Sequence, residues 1–154
     1  MAARLIDTIV IRRMKSTDLA DVFAIESTSY DFPWSEKILK DCILQNYDCY
    51  VAEGLKIVGY VIANITSQES HVLNLTIHSD YRGFGLGSSF IDLVVNECKL
   101  KKSHSIFLES RVSNTIARKL YQKYGFRSIG IRKNYYRNST GREDAVVYRK
   151  NIEY

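Results

Sequence analysis

The 154-residue sequence predicts a mixed α/β fold, a central sheet of about seven strands flanked by about four helices. Apolar stretches of period two alternate along the chain with stretches of three–four spacing. Three strand-like stretches, "DCYVAEG", "KIVGYVIANITS" and "SHVLNLTIHS", follow one another, the first two joined by a short "GLK" turn that suits an antiparallel hairpin. A glycine-rich turn, "DYRGFGLGSSF" (Asp80–Phe90), then leads from a strand into a long helical pattern and a further strand, as parallel strands require. Hydrophobic residues make up 45% and charged residues 25%, a globular profile; with no linker or repeat, residues 1–154 read as a single domain.

Element by element, "TIVIRRM" is a strand in which Ile9 and Ile11 alternate with polar neighbours. Ser16 or Thr17 caps a helix carrying Leu19, Val22, Phe23 and Glu26. "YDFPW" (Tyr30–Trp34) ends it, because the residue before a proline avoids helical geometry. Ser35 caps a second helix with Ile38, Leu39, Cys42 and Ile43 inward. Gly59 marks a bulge or a close contact in the second strand of the hairpin. After the glycine turn, Leu86, Phe90, Leu93 and Val94 form a buried helical stripe. "HSIFLESRV" is a strand, and Ser113 caps a helix bearing Ile116, Ala117, Leu120, Tyr121 and Tyr124, stopped by Gly125. "FRSIGIRK" and "EDAVVYRKNI" close the chain as strands, joined through "RNSTGRE". The order is β-α-α-β-β-β-α-β-α-β-β.

Several function classes are set aside by composition. The opening "MAARLIDTIVIRR" lacks the apolar run of a secretion signal, and no stretch approaches the length of a membrane span. The expected location is therefore cytoplasmic, with Cys42, Cys49 and Cys98 as free, buried thiols outside any zinc or redox spacing. His71, His78 and His104 are dispersed and hold no ligand spacing, so no metal is expected; a structural role suits His78 best. A net charge of +5 favours anionic partners, though the cluster Lys99, Lys101 and Lys102 reads as a solvated face.

The glycine turn carries the first chemical signal. The leading amides of a helix have no acceptor within it, and its dipole adds positive charge there. Gly83, Gly85 and Gly87 let phosphate oxygens approach those amides, and Arg82 adds charge. On its own the run is equally readable as a structural turn. It is not a P-loop, since no Gly-Lys-Ser/Thr follows, nor a dinucleotide fingerprint, since Ser88 stands where the last glycine would be.

The spacing Arg82-x-x-Gly85-x-Gly87 after a strand resembles the acetyl-coenzyme A loop of the GNAT superfamily of N-acetyltransferases, and the element order is similar to that fold over nearly the whole chain. "FPWSEK", "DYRGFGLG", "LESRVSN", "KLYQKYGF" and "NYY" with "GREDA" resemble, in matching order, the ribosomal-protein-alanine N-acetyltransferases (RimI type). The resemblance implies a V-shaped splay between the two central parallel strands, where the pantetheine arm of acetyl-CoA inserts. It implies cofactor contacts from the backbone of Leu75, Thr76 and Ile77, from Arg82, Gly83, Phe84, Gly85, Leu86, Gly87 and Ser88 around the pyrophosphate, and from Asn114 on the cofactor arm. Ser88 and Ser89 depart from the family in replacing a basic residue often found after the glycines.

Transfer of an acetyl group to an amine needs a neutral amine, a polarised thioester carbonyl and a proton for the departing sulfur. Glu109 lies in a strand beside apolar Phe107 and Leu108; read from the residues alone, it is as well explained by pairing with Arg111 or another cation as by catalysis. Tyr121 sits mid-helix at apolar spacing, where most tyrosines are core. The resemblance implies that Glu109 is the general base and Tyr121 the general acid. An α-amine, with a pKa of about 7.7–8.0 against about 10.4 for lysine, is the easier acceptor for a single carboxylate.

"YDFPW" and "NYYRNSTGRED" are aromatic-rich and have the look of partner-binding loops. The resemblance places both beside the acceptor channel, with Tyr135 and Tyr136 flanking a peptide N-terminus and Phe32 and Trp34 nearby; Trp34 is equally well explained by packing. Glu143, Asp144 or Asp31 would attract basic residues behind that terminus. The implied acceptor is the N-terminal alanine of a ribosomal small-subunit protein, with no nucleic acid or membrane required and the enzyme a monomer or weak dimer. Two alternatives stay open: a lysine or polyamine acceptor, and a non-catalytic coenzyme A-binding module.

Overall fold

The computed structural model describes residues 8–154; residues 1–7, part of the stretch read for a secretion signal, lie outside them. Seven strands form one mixed sheet: β1 (Val10–Arg13), β2 (Asp48–Glu53), β3 (Ile57–Asn64), β4 (Glu69–Ile77), β5 (Ser105–Arg111), β6 (Arg127–Asn138) and β7 (Gly141–Asn151). Among the described residues the α-helices are α1 (Leu19–Ser29), α2 (Glu36–Leu44), α3 (Leu86–Leu100) and α4 (Thr115–Lys123). The strand order is β1-β2-β3-β4-β5-β7-β6, so the expected element order and fold class hold. None of these helices is long and apolar enough to cross a membrane.

The chain gathers into two compact units, residues up to Ala63 with Asn74–Phe90, and Asn64–Leu73 with Ile91–Tyr154. In the first, β1 pairs antiparallel with β2 from Val10↔Glu53 to Arg13↔Tyr50, and β2 with β3 from Asp48↔Ala63. The β2–β3 register slips where Ala52 faces Gly59 and Glu53 faces Ile57, leaving Val58 as the extra residue. Gly59 is also a close contact: a Cβ there would lie 2.9 Å from Ile77 Cδ1 and 3.1 Å from the Thr76 carbonyl oxygen. Met14, Val22, Ile25, Leu39, Cys49 and Val51 lead the buried core, and Trp34 packs against it. Ser35 caps α2 as expected, its hydroxyl accepting from Ile38 N–H at 3.2 Å.

Other local expectations are corrected. Neither Ser16 nor Thr17 caps α1. Residues 16–18 form a short 3-10 turn, and Asp18 closes it by accepting from Lys15 N–H at 2.7 Å. A carboxylate held bidentately by Arg12, at 2.8 and 2.9 Å, is a better-fixed acceptor than an exposed hydroxyl. In α2, Ile38 faces outward while Leu39 and Cys42 are buried. In α3, Ile91 and Cys98 join Leu86, Phe90 and Val94 in the buried stripe, and Leu93 is only half-buried.

In the second unit β4 runs parallel to β5 over Glu69↔Ser105 to His71↔Phe107, and β5 pairs antiparallel with β7 over Ser105↔Asn151 to Arg111↔Ala145. The β4–β5 register ends at Phe107, although β5 continues to Arg111. β6 and β7 form a long hairpin around Ser139 and Thr140, so Tyr135 and Tyr136, expected on a loop, stand in a strand whose register slips between Arg132 and Tyr136. Asn114, not Ser113, caps α4: its side-chain oxygen accepts from Ala117 N–H at 3.1 Å. Ile116 on that helix is 84% exposed. Gly125 ends the helix at φ 84°, a conformation that favours glycine.

All three cysteines are buried and outside any disulfide, and burial pushes the Cys49 thiol up to about 12, removing it from reactive chemistry.

Candidate active site

In the first unit the candidate binding groups are main chain. Gly85 O accepts the Ser89 N–H at 3.0 Å, so the leading amides of Leu86, Gly87 and Ser88 have no acceptor inside α3. Gly83 and Gly85 sit at φ 82° and 87°, and a Cβ on either would meet nothing within 4 Å. The glycines are therefore needed for backbone conformation, and the space over them is open, as a phosphate cradle demands. Arg82 and Phe84 are exposed beside it. The Arg82 Nε donates to the Ile77 carbonyl at 2.9 Å, which fixes the arginine stem to the end of β4 and occupies one of the expected cofactor-facing backbone groups. Along that strand Leu75 and Ile77 are half-buried and Thr76 is buried.

A buried polar cluster lies in the same unit, and sequence reading missed it. Glu26 on α1 is 2% exposed. Its Oε2 accepts from Trp34 N–H at 2.9 Å; its Oε1 accepts from the Tyr60 hydroxyl at 2.5 Å and from Asn74 Nδ2 at 2.8 Å. Thr76 Oγ1 donates to Asn74 Oδ1 at 2.8 Å, and the Tyr30 hydroxyl lies 2.7 Å from Thr76 Oγ1. Burial, then the Glu26 bond, push the Tyr60 hydroxyl well above the usual phenol range, so it remains a donor. The one sequence hint was the placement of Glu26 on the apolar stripe of its helix. Phe32 is exposed, whereas Trp34 is half-buried against the core, which favours the packing explanation for its ring.

The second unit supplies side chains. Strand alternation sends Phe107, Glu109 and Arg111 to one face of β5 and Ile106, Leu108 and Ser110 to the other. Glu109 does not pair with Arg111. Its Oε1 forms an ion pair with Arg132 Nε at 2.9 Å, and that guanidinium stands 5.5 Å from the Tyr135 ring centroid. Burial and then the Glu109 charge raise the Tyr135 hydroxyl above its usual value. Tyr136 meets Tyr135 edge-on at 4.9 Å and lies 4.7 Å under the Arg111 guanidinium. Arg111 instead bonds Glu143 at 2.9 Å. Burial would raise Glu143, but the hydrogen bonds from Arg111 and Ser113 outweigh it and hold its carboxyl below the usual range. Asp144 accepts from Asn134 N–H at 2.9 Å. Glu143 and Asp144, two of the three acids expected to attract a basic acceptor, are thus engaged in contacts within the chain, and the third, Asp31, is exposed.

Tyr121, on α4, is buried and meets Phe126 at 6.0 Å and Tyr148 at 5.8 Å, both edge-on. Tyr148 pairs with Leu108, so Tyr121 packs on the face of β5 opposite to Glu109. Two groups on opposite faces of one strand can serve one reacting centre only at that strand's open flank. β5 has such a flank past Phe107, where its register with β4 has ended. Ser105 Oγ and Ser110 Oγ are buried without a hydrogen-bond partner among the described residues. Asn114 spends its side-chain oxygen on the α4 cap and keeps only its amide for a cofactor. His78 caps a short turn, its Nδ1 accepting from Asp80 N–H at 3.1 Å, and no metal-ligating cluster occurs among the described residues.

Comparison with known proteins agrees with this geometry. A family model described as "Acetyltransferase (GNAT) family" matches residues 19–126. The chain is 31% identical over 138 residues to the [ribosomal protein bS18]-alanine N-acetyltransferase of Escherichia coli K12, covering 89% of this chain and 93% of that one. It is 34% identical over 140 residues to the enzyme of the same name from Haemophilus influenzae, covering 90% and 95%. The crystal structure of the Escherichia coli ribosomal-protein-S18-alanine N-acetyltransferase superposes with a TM-score of 0.89 at 30% identity, over 95% of each chain. The Arabidopsis thaliana NAA60 structure with acetyl-CoA, at 16% identity and a TM-score of 0.85 over 94% of this chain and 99% of that one, shares the fold. An open cradle of helix-leading amides is what a coenzyme diphosphate needs, and the chain belongs to the GNAT acetyltransferase family, as an acetyl-CoA-dependent N-acetyltransferase.

Proposed function

We propose that this chain, acting as one domain, acetylates protein N-termini, with the N-terminal alanine of a ribosomal small-subunit protein as its acceptor. The observation that carries the reading is likeness to alanine N-acetyltransferases over 89% of the chain, in which Glu109 and Tyr121 both stand on the flank-bearing unit. Acetyl-CoA supplies the activated acetyl thioester. The amides of Leu86, Gly87 and Ser88, with Arg82, hold its pyrophosphate; the backbone of Leu75, Thr76 and Ile77 and the Asn114 amide guide its arm. Glu109 takes up the proton that the acceptor amine loses on attacking the carbonyl. Arg132 holds that carboxylate in one orientation. Tyr121 Oη delivers a proton to the departing sulfur from the other face. Tyr135 and Tyr136 form an aromatic wall beside Glu109, and Phe32 stands in the other acceptor segment. The site of work is the cytosol, since the acceptor is made there.

An assay that separates acceptors tests this. The protein is incubated with acetyl-CoA and three peptides: one beginning with alanine, the same peptide with a blocked N-terminus, and one blocked but carrying lysines. Mass spectrometry locates the label. Acetylation of the free alanine amine is expected; label on lysine alone would overturn the acceptor, and no label at all would favour a coenzyme A-binding module.

A further inference from the structure

We propose that Glu26 is a positioning residue that sets the acceptor segment Tyr30–Trp34 by tethering it to the polar side chains of β4. The hydrogens of the cluster can be ordered. Thr76 has one hydroxyl hydrogen and gives it to Asn74 Oδ1, so the Tyr30 hydroxyl must donate to Thr76. Asn74 in turn donates from Nδ2 to Glu26 Oε1. One line of donors therefore runs Tyr30, Thr76, Asn74, Glu26, and a second reaches the same carboxylate from Trp34 N–H. Both ends of the segment are held, Tyr30 by its hydroxyl and Trp34 by its backbone, and both lines terminate on Glu26. Bonds aligned in this way strengthen one another, and in a buried place each is costly to lose. Exposed Phe32 is presented from between the two anchors. Glu26 itself is buried, so it acts through the segment and not on a reacting atom.

This rests on the assignment of Tyr30–Trp34 to the acceptor, and the test keeps the two claims apart. Three donors converge on Glu26. Glu26→Gln keeps the shape but leaves one acceptor oxygen. With that oxygen serving Tyr60 and Asn74, the new amide faces Trp34 N–H, donor against donor. The expected result is an acceptor KM raised at least about tenfold, with kcat and the acetyl-CoA KM within about twofold, and chymotryptic nicking after Tyr30 or Trp34 accelerated about tenfold. Tyr60→Phe removes a bond to the same carboxylate while leaving both anchors, the Tyr30 hydroxyl and the Trp34 N–H, in place, and should leave acceptor KM and nicking within about twofold of wild type. Tyr30→Phe cuts the other anchor and should raise acceptor KM about threefold; if the Glu26 variant does not fold, this variant decides. Unchanged acceptor KM and nicking in Glu26→Gln, or an equal rise in Tyr60→Phe, would overturn the tether. A wild-type protein that acetylates no alanine peptide would overturn the acceptor reading instead, and nicking alone would then judge the tether.

Discussion

The two units carry different materials. The first offers peptide amides, made available by glycines at φ 82° and 87° and by the head of a helix. The second offers individual side chains, a carboxylate clasped by Arg132 and a phenol wedged between Phe126 and Tyr148. A main-chain site is indifferent to most substitutions and vulnerable only where a Cβ is added. A side-chain site fails when one group is lost.

The sharpest way to break that contrast is at the phenol. Tyr121→Phe should lower kcat by about 10²–10⁴-fold, with acetyl-CoA affinity by calorimetry nearly unchanged. Glu109→Gln should cost a similar factor in kcat, and parallel losses in both variants would mark a side-chain half. A main-chain half predicts the reverse signature. Gly85→Ala must hold an alanine at positive φ, a strain of about 1–2 kcal/mol, and should raise the acetyl-CoA KM about 5- to 30-fold with kcat retained. Arg82→Ala, which leaves every amide in place, should raise it less.

The smallest effect concerns stability. Arg12 hydrogen bonds hold the Asp18 carboxyl below its ordinary range in the folded protein. A depressed folded-state pKa gives stability that is present above the unfolded value and lost as pH falls through the folded one. Arg12→Gln should therefore destabilise by about 1 kcal/mol near neutral pH, and the gap to wild type should close as pH falls below about 4. Urea titrations at several pH values would measure it; a gap that persists in acid would assign the effect to packing instead.

This contrast also explains what could be foreseen. The cradle is written in consecutive residues, since glycine spacing and a following helix need no knowledge of distant partners. Gly59 and Ser35 were legible for the same reason. The clasp on Glu109 was not: Arg111 lies two positions away along the same strand, whereas Arg132 comes from another strand through a hairpin with slipped register. The Glu26 cluster joins residues as many as 48 positions apart, and its Glu, Tyr, Asn and Thr look ordinary in isolation. The exposure of Ile116 was not legible because the apolar period of a short helix leaves its first turn undecided, and here that turn is given to the Asn114 cap.

The hairpin's outer strand has a consequence of another kind. β6 is a sheet edge twelve residues long, with Ile129 and Ile131 more than half exposed, a profile that invites a neighbouring chain to add a strand and seed aggregation. Two slips of register interrupt its line, and Arg127, Arg132, Lys133 and Arg137 load it with like charge. The slip between Arg132 and Tyr136, next to the residue that pairs with Glu109, is thus also an edge device of the kind that disfavours strand addition, and straightening this strand by deleting a bulge residue should lower solubility.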